Sequence, residues 1–339
     1  MMKGRRILVL VLAVLLAATA VGGCATQGPP ESAKPEPTPA EPVTLKVAVL
    51  RGPTAVGMVK LMEDAAAMLG EGVTADIQVV DSPDLLSSKI VSREVDLATP
   101  PTNMAATLYN KGIPYQLAAI TSWGVNYLVT ADPTVNTLAD LKGKTVNVVG
   151  KGATPDIVLR YLLRRQGLDP DKDLTLDYTL GQVELAQSLI AGRSQVAVMP
   201  EPWVTQALMG NQQLKVAVNL QDAWAEAQQG KVQMAQTCLI VNREVAQAHP
   251  QAVAAFLDAY RQSLEWVTAH PGEAGALVEK HGIGMKAAVA EAAIPRCNFR
   301  FEDAASSRQA VEAFLKVLFD FAPASVGGKM PDDGFYYAP

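Results

Sequence analysis

The 339-residue chain contains only three cysteines and three histidines, and aromatic residues make up 6% of it. The motifs HExxH, CxxC and Gly-x-Ser-x-Gly are missing, and no pair of carboxylates stands out by its spacing. The histidines, His249, His270 and His281, all follow residue 243, where we expect them at helix ends. These absences leave no positive evidence for catalysis, a metal site or a cofactor.

A basic or aromatic–basic stripe is also missing, and the formal net charge of the chain is −5. A nucleic-acid partner would require a positive surface, so we expect none. Hydrophobic residues make up 49% of the chain and charged residues 19%, which is enough apolar material for substantial cores. The residues from position 43 onward suffice for two domains of ordinary size.

The first 42 residues predict export and a tether. Basic residues precede an apolar run over residues 7–21, which is typical of a signal peptide covering residues 1–23. Cys24 follows small residues as in a bacterial lipobox, so we expect it to be lipidated, with plain secretion as the alternative. Residues 24–42 contain six prolines among polar residues and predict an extended spacer. The protein is therefore expected outside the cytoplasm, held on the outer face of the membrane by its lipid or free in the periplasm.

Residues 145–168 predict a strand, a glycine turn and a helix. Gly150 and Gly152 permit the tight turn, Thr154 is the expected N-cap, and Pro155 is the expected first helical residue. Backbone N–H groups at such a helix start can bind a polar or anionic ligand group. Pro155 stands where a dinucleotide fingerprint has its third glycine, so this turn is not that fingerprint.

The chain builds this unit twice. The first copy has a strand at 45–50, a Gly52-Pro53-Thr54 turn and a helix at 58–69. In each copy a second strand, a helix and a third strand follow, and the third strand enters a proline-containing loop. Two such halves predict an α/β fold of two lobes that face a cleft at the carboxyl ends of the strands.

We assign residues 43–126 and 236–339 to the first lobe and residues 127–235 to the second. Two strands that cross between the lobes are the expected hinge. We expect everything after Arg243 to be helical and to pack on the first lobe.

Short polar side chains at the predicted strand ends are candidate ligand contacts. They are Thr54, Thr102, Asn103, Asn126 and Thr154. Two larger candidates, Trp123 and Glu201, each have a second interpretation.

Trp123 is suited to stacking a planar ligand or to packing in the hinge. Glu201, between two prolines, is suited to accepting hydrogen bonds from a ligand's amino groups or to stabilising a helix start. Cys238 and Cys297 predict either a disulfide or two buried thiols, structural in both cases.

These features resemble the substrate-binding proteins of ABC importers, in the branch for nitrate, sulfonates, taurine and thiamine-pyrimidine precursors. The resemblance is carried by the lipoprotein start, the duplicated pattern, and the segments 52–54, 150–155 and 200–202, and residues 327–337 are similar to the ending of lipoproteins in that branch. It implies a type II periplasmic-binding fold that closes like a Venus flytrap, a small-molecule solute, a permease and an ATPase as partners, and a monomer. It also implies that the cleft is lined by Thr54, Thr102, Asn103, Trp123, Thr154 and Glu201.

Binders of sulfonate and nitrate usually present cationic side chains, whereas the loop ends here offer Arg51 and Lys151 at most, beside Glu201. We therefore expect a neutral or amino-bearing organic solute, such as a planar heterocycle of the pyrimidine type. A small anion such as sulfonate, taurine or nitrate is the second candidate, because helix N-termini bind anions without cations. A ligand-sensing lipoprotein and an enzyme on the same fold are also compatible with this sequence.

Overall fold

The computed structural model describes residues 42–339. The predicted signal peptide, Cys24 and the tether up to residue 41 lie outside the described residues. None of the helices within residues 42–339 has the length and apolar character needed to span a bilayer.

The described chain alternates strands and helices throughout. The strands are β1 (Val43–Leu50), β2 (Val73–Val80), β3 (Leu97–Ala98), β4 (Tyr115–Trp123), β5 (Asn126–Thr130), β6 (Thr145–Val148), β7 (Thr175–Asp177), β8 (Val196–Pro200), β9 (Lys215–Asn219), β10 (Ala235–Asn242) and β11 (Phe299–Asp303). The helices are α1 (Pro53–Gly57), α2 (Val59–Leu69), α3 (Pro83–Val91), α4 (Thr102–Asn110), α5 (Thr154–Arg165), α6 (Gln182–Ile190), α7 (Trp203–Gly210), α8 (Leu220–Ala227), α9 (Arg243–Ala248), α10 (Pro250–Ala269), α11 (Pro271–Lys280), α12 (Ala287–Ala293) and α13 (Ala304–Phe321).

Two sheets form two lobes. The first lobe surrounds a six-stranded sheet in the order β11-β4-β10-β3-β1-β2, and the second surrounds a five-stranded sheet in the order β7-β6-β8-β5-β9. The chain leaves the first sheet after β4 and returns to it with β10. The predicted two-lobe α/β fold with two crossing connections is confirmed.

The two halves of the duplicated pattern have the same topology. In the first sheet β1 pairs in parallel with β2 and β3, and in the second sheet β6 pairs in parallel with β7 and β8. The carboxyl ends of the parallel strands therefore gather at one edge of each sheet. One detail differs from the prediction, because Thr154 is the first residue of α5 and Ala153 is the N-cap.

The prediction that everything after Arg243 is helical is wrong. Strand β11 pairs antiparallel with β4, and its sequence, Phe-Arg-Phe-Glu-Asp, alternates apolar and polar residues as a strand does. The C-terminal helices also contact both lobes. Helix α12 packs on α7, and Phe314 and Phe321 of α13 contact Trp224 and Tyr161 at ring-centroid distances of 5.5 and 5.7 Å.

Cys238 and Cys297 are buried free thiols, so the disulfide is not formed. The Cys238 Sγ donates to the carbonyl oxygen of Pro100 at 3.5 Å. Burial raises the pKa of the Cys238 thiol to about 12 and raises that of Cys297 well above its ordinary value. Both thiols are therefore protonated at neutral pH.

The two crossing segments touch at Gly124, between β4 and β5. Gly124 has a φ of +61°, and a Cβ there would overlap the side chain of Gln221 in α8, lying 3.1 Å from the Gln221 Cβ. Glycine adopts this φ without strain and leaves the Gln221 side chain in place.

We predict that Gly124→Ala destabilises the protein more than Gly143→Ala. Gly143 has a similar φ of +76°, but a Cβ there meets nothing within 4 Å. Gly143→Ala should therefore cost only about 1–2 kcal/mol of backbone strain. Gly124→Ala should cost a further ~1–3 kcal/mol for overpacking, measured by urea denaturation. Equal losses for the two variants would show that the two segments do not press on each other at this point.

Candidate functional site

A cavity with a volume of about 70 Å³ lies between the two lobes, at the carboxyl ends of the strands. Its walls come from both sheets, which places it where open α/β sheets bind ligands. The first lobe contributes Leu50, Arg51, Pro53, Thr54, Pro83, Pro101, Gln236 and Thr237, and the second contributes Val149, Gly150, Ala153, Thr154, Pro155, Gln182 and Pro200.

Prolines begin several of the helices that face the cavity. Pro53, Pro83 and Pro155 occupy the first or second position of α1, α3 and α5, and Pro101 is the N-cap of α4. Proline has no N–H, so each of these helix starts offers one backbone donor fewer. The cavity walls are consequently mainly apolar, with few backbone donors.

Hydrogen bonds join the lobes across the cavity. The Asn103 Nδ2 donates to the carbonyl oxygen of Gly152 at 3.2 Å, and the Thr154 Oγ1 donates to the Asn103 Oδ1 at 3.0 Å. On the other side, the Gln182 Nε2 donates to the carbonyl oxygen of Arg51 at 2.7 Å. The structure therefore shows the two lobes closed on each other.

The side chain of Asp156, a buried residue in the first turn of α5, stabilises the glycine turn through hydrogen bonds. Its Oδ2 accepts from the Gly152 N–H at 2.8 Å, and its Oδ1 accepts from the Arg160 Nε at 2.8 Å and the Tyr178 hydroxyl at 2.7 Å. Burial, together with the hydrogen bond to Asp156, raises the pKa of Tyr178 to about 12. Asp156 is not among the residues predicted from the sequence, although its spacing of four residues from Arg160 is a recognisable helical ion-pair signal.

Of the short polar candidates, Thr54 and Thr154 line the cavity, while Asn103 bridges to Thr154 and Gly152. Asn126 lies behind the wall, donating from its Nδ2 to the Oε1 of Gln236 at 2.9 Å.

Three buried polar atoms close to the cavity have no hydrogen-bond partner among the described residues. They are the Thr102 Oγ1, the Asn126 Oδ1 and the Trp203 Nε1. The Trp203 Nε1 lies beside Gly52, 3.8 Å from where a Cβ would stand. A buried polar atom without a partner is costly, and none of these three residues is among those that line the cavity.

Trp123 lies at the end of β4 in the first lobe and is not among the residues that line the cavity. The Arg300 guanidinium stacks over its ring at 4.1 Å, and its Nε1 donates to the carbonyl oxygen of Arg300 at 3.1 Å. The ring and its donor therefore both have partners within the chain.

Glu201 is fully buried at the start of α7, and its carboxylate faces the protein. The Arg296 Nε lies 2.9 Å from its Oε1, while the Thr205 backbone N–H and hydroxyl bond to the two carboxylate oxygens at 3.0 and 3.1 Å. Burial raises the pKa of the Glu201 carboxyl above its ordinary value, opposed by Arg296 and Thr205. Arg296 belongs to a 3₁₀ turn, Ile294–Arg296, that precedes β11, so this pair ties the C-terminal segment to the second lobe.

Within residues 42–339, no cluster of three or more His, Cys, Asp or Glu side chains is placed to hold a metal ion.

This geometry is that of a two-lobe protein with a candidate binding site between the lobes. Residues 70–274 match the family model described as NMT1/THI5 like. The chain belongs to the NMT1/THI5-like family, and the resemblance seen in the sequence is confirmed at the level of family and fold.

Solved structures agree with this assignment. The chain is similar to an ABC transporter from Parabacteroides distasonis, with 32% identity over 87% of this chain and 99% of that one and a TM-score of 0.73. It shares its fold with the periplasmic aliphatic sulphonate binding protein SsuA from Escherichia coli, at 15% identity over 87% of this chain and 92% of that one with a TM-score of 0.68. It also shares it with the periplasmic nitrate-binding protein NrtA from Synechocystis PCC 6803, at 16% identity over 73% of this chain and 68% of that one with a TM-score of 0.56. A comparison with curated protein sequences gave no match.

We predict that Arg296→Ala destabilises the protein by about 1–3 kcal/mol at neutral pH, because it leaves the Glu201 carboxylate buried without its cation. The loss should be smaller than for a fully buried pair, since the Arg296 side chain is 34% exposed. Arg261→Ala, which removes exposed ion pairs with Asp258 and Glu265, is the control and should change stability by less than about 1 kcal/mol.

The loss of stability in Arg296→Ala should also depend on pH. The folded-state pKa of Glu201 is already raised above 4.5, and removing Arg296 raises it further. When the pKa of a carboxyl is higher in the folded state than in the unfolded state, its contribution to stability is fully present below the unfolded-state pKa. This contribution is lost as pH rises through the folded-state pKa. The effect of Arg296→Ala, measured by urea denaturation, should therefore shrink as pH falls toward about 4.5. A loss that stays constant between about pH 7 and pH 4.5 would contradict this account of the pair.

Proposed function

We propose that this chain is the extracytoplasmic solute-binding component of an ABC importer. Its two lobes close on a small organic solute and deliver it to a permease driven by an ATPase. The observation that carries the proposal is the cavity, which residues of both lobes line at their strand ends, with the Asn103 side chain joining the lobes next to it. The 32% identical relative from Parabacteroides distasonis, described as an ABC transporter, supports the transport role.

The cavity walls favour a neutral solute. Among the described residues that line it, Arg51 carries the only charge, and its guanidinium is already bonded to Asp81 at 2.5 Å and to the carbonyl oxygen of Gly282 at 2.9 Å. The remaining polar lining groups are the amides of Gln182 and Gln236 and threonine hydroxyls, which can donate and accept hydrogen bonds. Because the Glu201 carboxylate is bound to Arg296 and Thr205, it favours no amino group on the solute.

The volume of the cavity favours a small solute. At about 70 Å³ it is roughly half of the ~150 Å³ that holds benzene in an engineered protein cavity. A solute of a few heavy atoms fits the closed lobes, whereas a single heterocyclic ring fits only if the lobes close less completely.

A small anion is the second candidate. SsuA and NrtA are described as binding aliphatic sulphonate and nitrate, and the glycine turn of this chain opens a helix start toward the cavity. A ligand-sensing lipoprotein would use the same cavity with another membrane partner. Deletion of the gene distinguishes the two roles, because only an import role predicts loss of solute uptake.

We predict that a neutral solute, and no anion, raises the melting temperature of the mature protein. The neutral panel is acetamide, urea, uracil, cytosine and 4-aminopyrimidine, and the anionic panel is nitrate and methanesulfonate. A ligand at a hundred times its Kd adds about 2.7 kcal/mol, which is a shift of several degrees. Shifts with the anions alone would contradict the neutral-solute proposal, and no shift with any member would contradict the proposed solute class.

We predict that Asn103→Ala weakens binding of the solute found in that screen by about tenfold, because it removes both hydrogen bonds that Asn103 makes across the cavity. Asn110→Ala is the matched control, since Asn110 lies on the same helix and donates to the carbonyl oxygens of Val326 and Lys329, away from the second lobe. Calorimetry should show near-normal affinity for Asn110→Ala. Equal weakening in both variants would assign the effect to helix α4 as a whole and not to closure.

A further inference from the structure

We propose that the cavity selects a solute with a carboxamide-type group, that is, a carbonyl oxygen beside N–H donors, an inference that rests on the proposed function. The polar side chains that line the cavity offer the solute N–H donors on the first lobe and oxygen acceptors on both lobes. Gln236 supplies the donors, and Gln182, Thr54 and Thr154 supply the acceptors. The polarity of each group follows from the hydrogen bonds that it already makes within the chain.

The amide of Gln236, on β10, is oriented by two hydrogen bonds. Its Oε1 accepts from the Val125 backbone N–H and from the Asn126 Nδ2, both at 2.9 Å. A backbone N–H can only donate, so the amide oxygen faces Val125 and the NH2 group faces away from it. Gln236 is 5% exposed and lines the cavity, and its Nε2 has no hydrogen-bond partner within residues 42–339. This NH2 group is therefore available to an acceptor on the solute.

The amide of Gln182, on the opposite lobe, is oriented in the reverse sense. Its Nε2 donates to the carbonyl oxygen of Arg51 at 2.7 Å, and a carbonyl oxygen can only accept. Among the described residues, nothing donates to the Gln182 Oε1. That oxygen is the acceptor that the Gln182 amide offers to an N–H of the solute.

Two threonine hydroxyls of the cavity wall have already donated their hydrogens. The Thr54 Oγ1 donates to a carbonyl oxygen at the end of β1 at 2.7 Å, and the Thr154 Oγ1 donates to the Asn103 Oδ1 at 3.0 Å. A hydroxyl has one hydrogen, so both can only accept from the solute. The Thr237 hydroxyl shares one hydrogen bond with the Ser122 hydroxyl at 2.7 Å and fits either polarity.

A carboxamide matches this arrangement with one neutral group. Its carbonyl oxygen accepts from the Gln236 Nε2, and its N–H groups donate to the Gln182 Oε1 and the threonine oxygens. The Arg51 guanidinium, bonded to Asp81 and to the Gly282 carbonyl, can add only donors, which also suit a carbonyl oxygen. Because the donors and the Gln182 acceptor belong to different lobes, a bound carboxamide favours the closed arrangement.

The test measures the binding of small planar probes of one shape to the wild-type mature protein by calorimetry. Acetamide and urea carry a carbonyl oxygen and N–H donors, acetone lacks the donors, acetate replaces them by a charged oxygen, and acetamidinium lacks the acceptor. We expect acetamide and urea to bind about tenfold or more tightly than the other three, because a mismatched probe leaves polar groups of the wall unpaired. Any of those three binding as tightly as acetamide, or no binding of acetamide and urea, would overturn the inference.

Gln236→Glu reverses the polarity at one point of the wall. The ionised carboxylate can still accept from Val125 and Asn126, but it has no hydrogen for the carbonyl oxygen of the solute. We expect acetamide to bind this variant about tenfold more weakly than the wild type, and acetamidinium to bind it more tightly. Undiminished acetamide binding in Gln236→Glu would overturn the role of Gln236.

Gln233→Glu is the matched control. It adds the same charge just before β10, at an exposed residue whose Oε1 accepts from Arg300 and which does not line the cavity. Both affinities should stay near those of the wild type in this variant. Equal changes in Gln233→Glu and Gln236→Glu would assign the effect to charge in general and overturn the role of the Gln236 amide. If Gln236→Glu does not fold, the comparison of probes on the wild type still decides the inference.

The outcomes separate this inference from the proposed function. Acetone or acetate binding as tightly as acetamide overturns the carboxamide specificity but leaves the import role standing. Selective binding of acetamide and urea supports the inference even if deletion of the gene leaves solute uptake intact, a result that would contradict import.

Discussion

One buried amide, that of Asn103, joins the two lobes at the cavity. It donates to the carbonyl oxygen of Gly152 and accepts from the Thr154 hydroxyl, so it contacts the glycine turn on the opposite lobe at two points. A hydrogen bond of this kind contributes only about 0.5–1.5 kcal/mol net. Such a link closes the cavity and still allows it to open, which a protein that must load and release a solute requires.

The lobes are also joined at the cavity by the Gln182–Arg51 hydrogen bond, and elsewhere by the C-terminal segment. Helix α13 carries Phe314 and Phe321 onto Trp224 and Tyr161, and Arg296 reaches Glu201 from the C-terminal segment. The C-terminal segment is therefore attached to both lobes, although its strand β11 belongs to the first sheet. Any opening of the cleft has to pivot about this packing as well as about the crossing segments at Gly124.

The fold was predictable because it depends on local, repeated patterns. Two copies of strand, glycine–proline turn and helix were visible in the sequence, and they form two parallel units of identical strand order. Strand β11 was missed because it is short and lies between helices, and its pairing with β4 depends on residues about 180 positions away.

The site was predictable only in part, for a physical reason. Sequence position put Thr54 and Thr154 at strand ends, and a strand end fixes the backbone next to the cavity. It does not fix where a long side chain points, which is decided by its partners. Glu201 turns to Arg296 and Trp123 to Arg300, both from a segment far away in the chain. Asp156 was missed although both of its local contacts, Gly152 and Arg160, lie four residues away in the sequence.

The most direct test of the central claim is the distance across the mouth of the cavity in solution. Spin labels at Asp84, on α3 of the first lobe, and Glu184, on α6 of the second, flank helix starts that line the cavity, and both positions are exposed. Pulsed electron–electron double resonance on the mature protein should show two distances between the labels without solute. Adding a solute that binds should shift the population to the shorter distance. A single distance that no bound solute changes would contradict closure of the two lobes on a ligand.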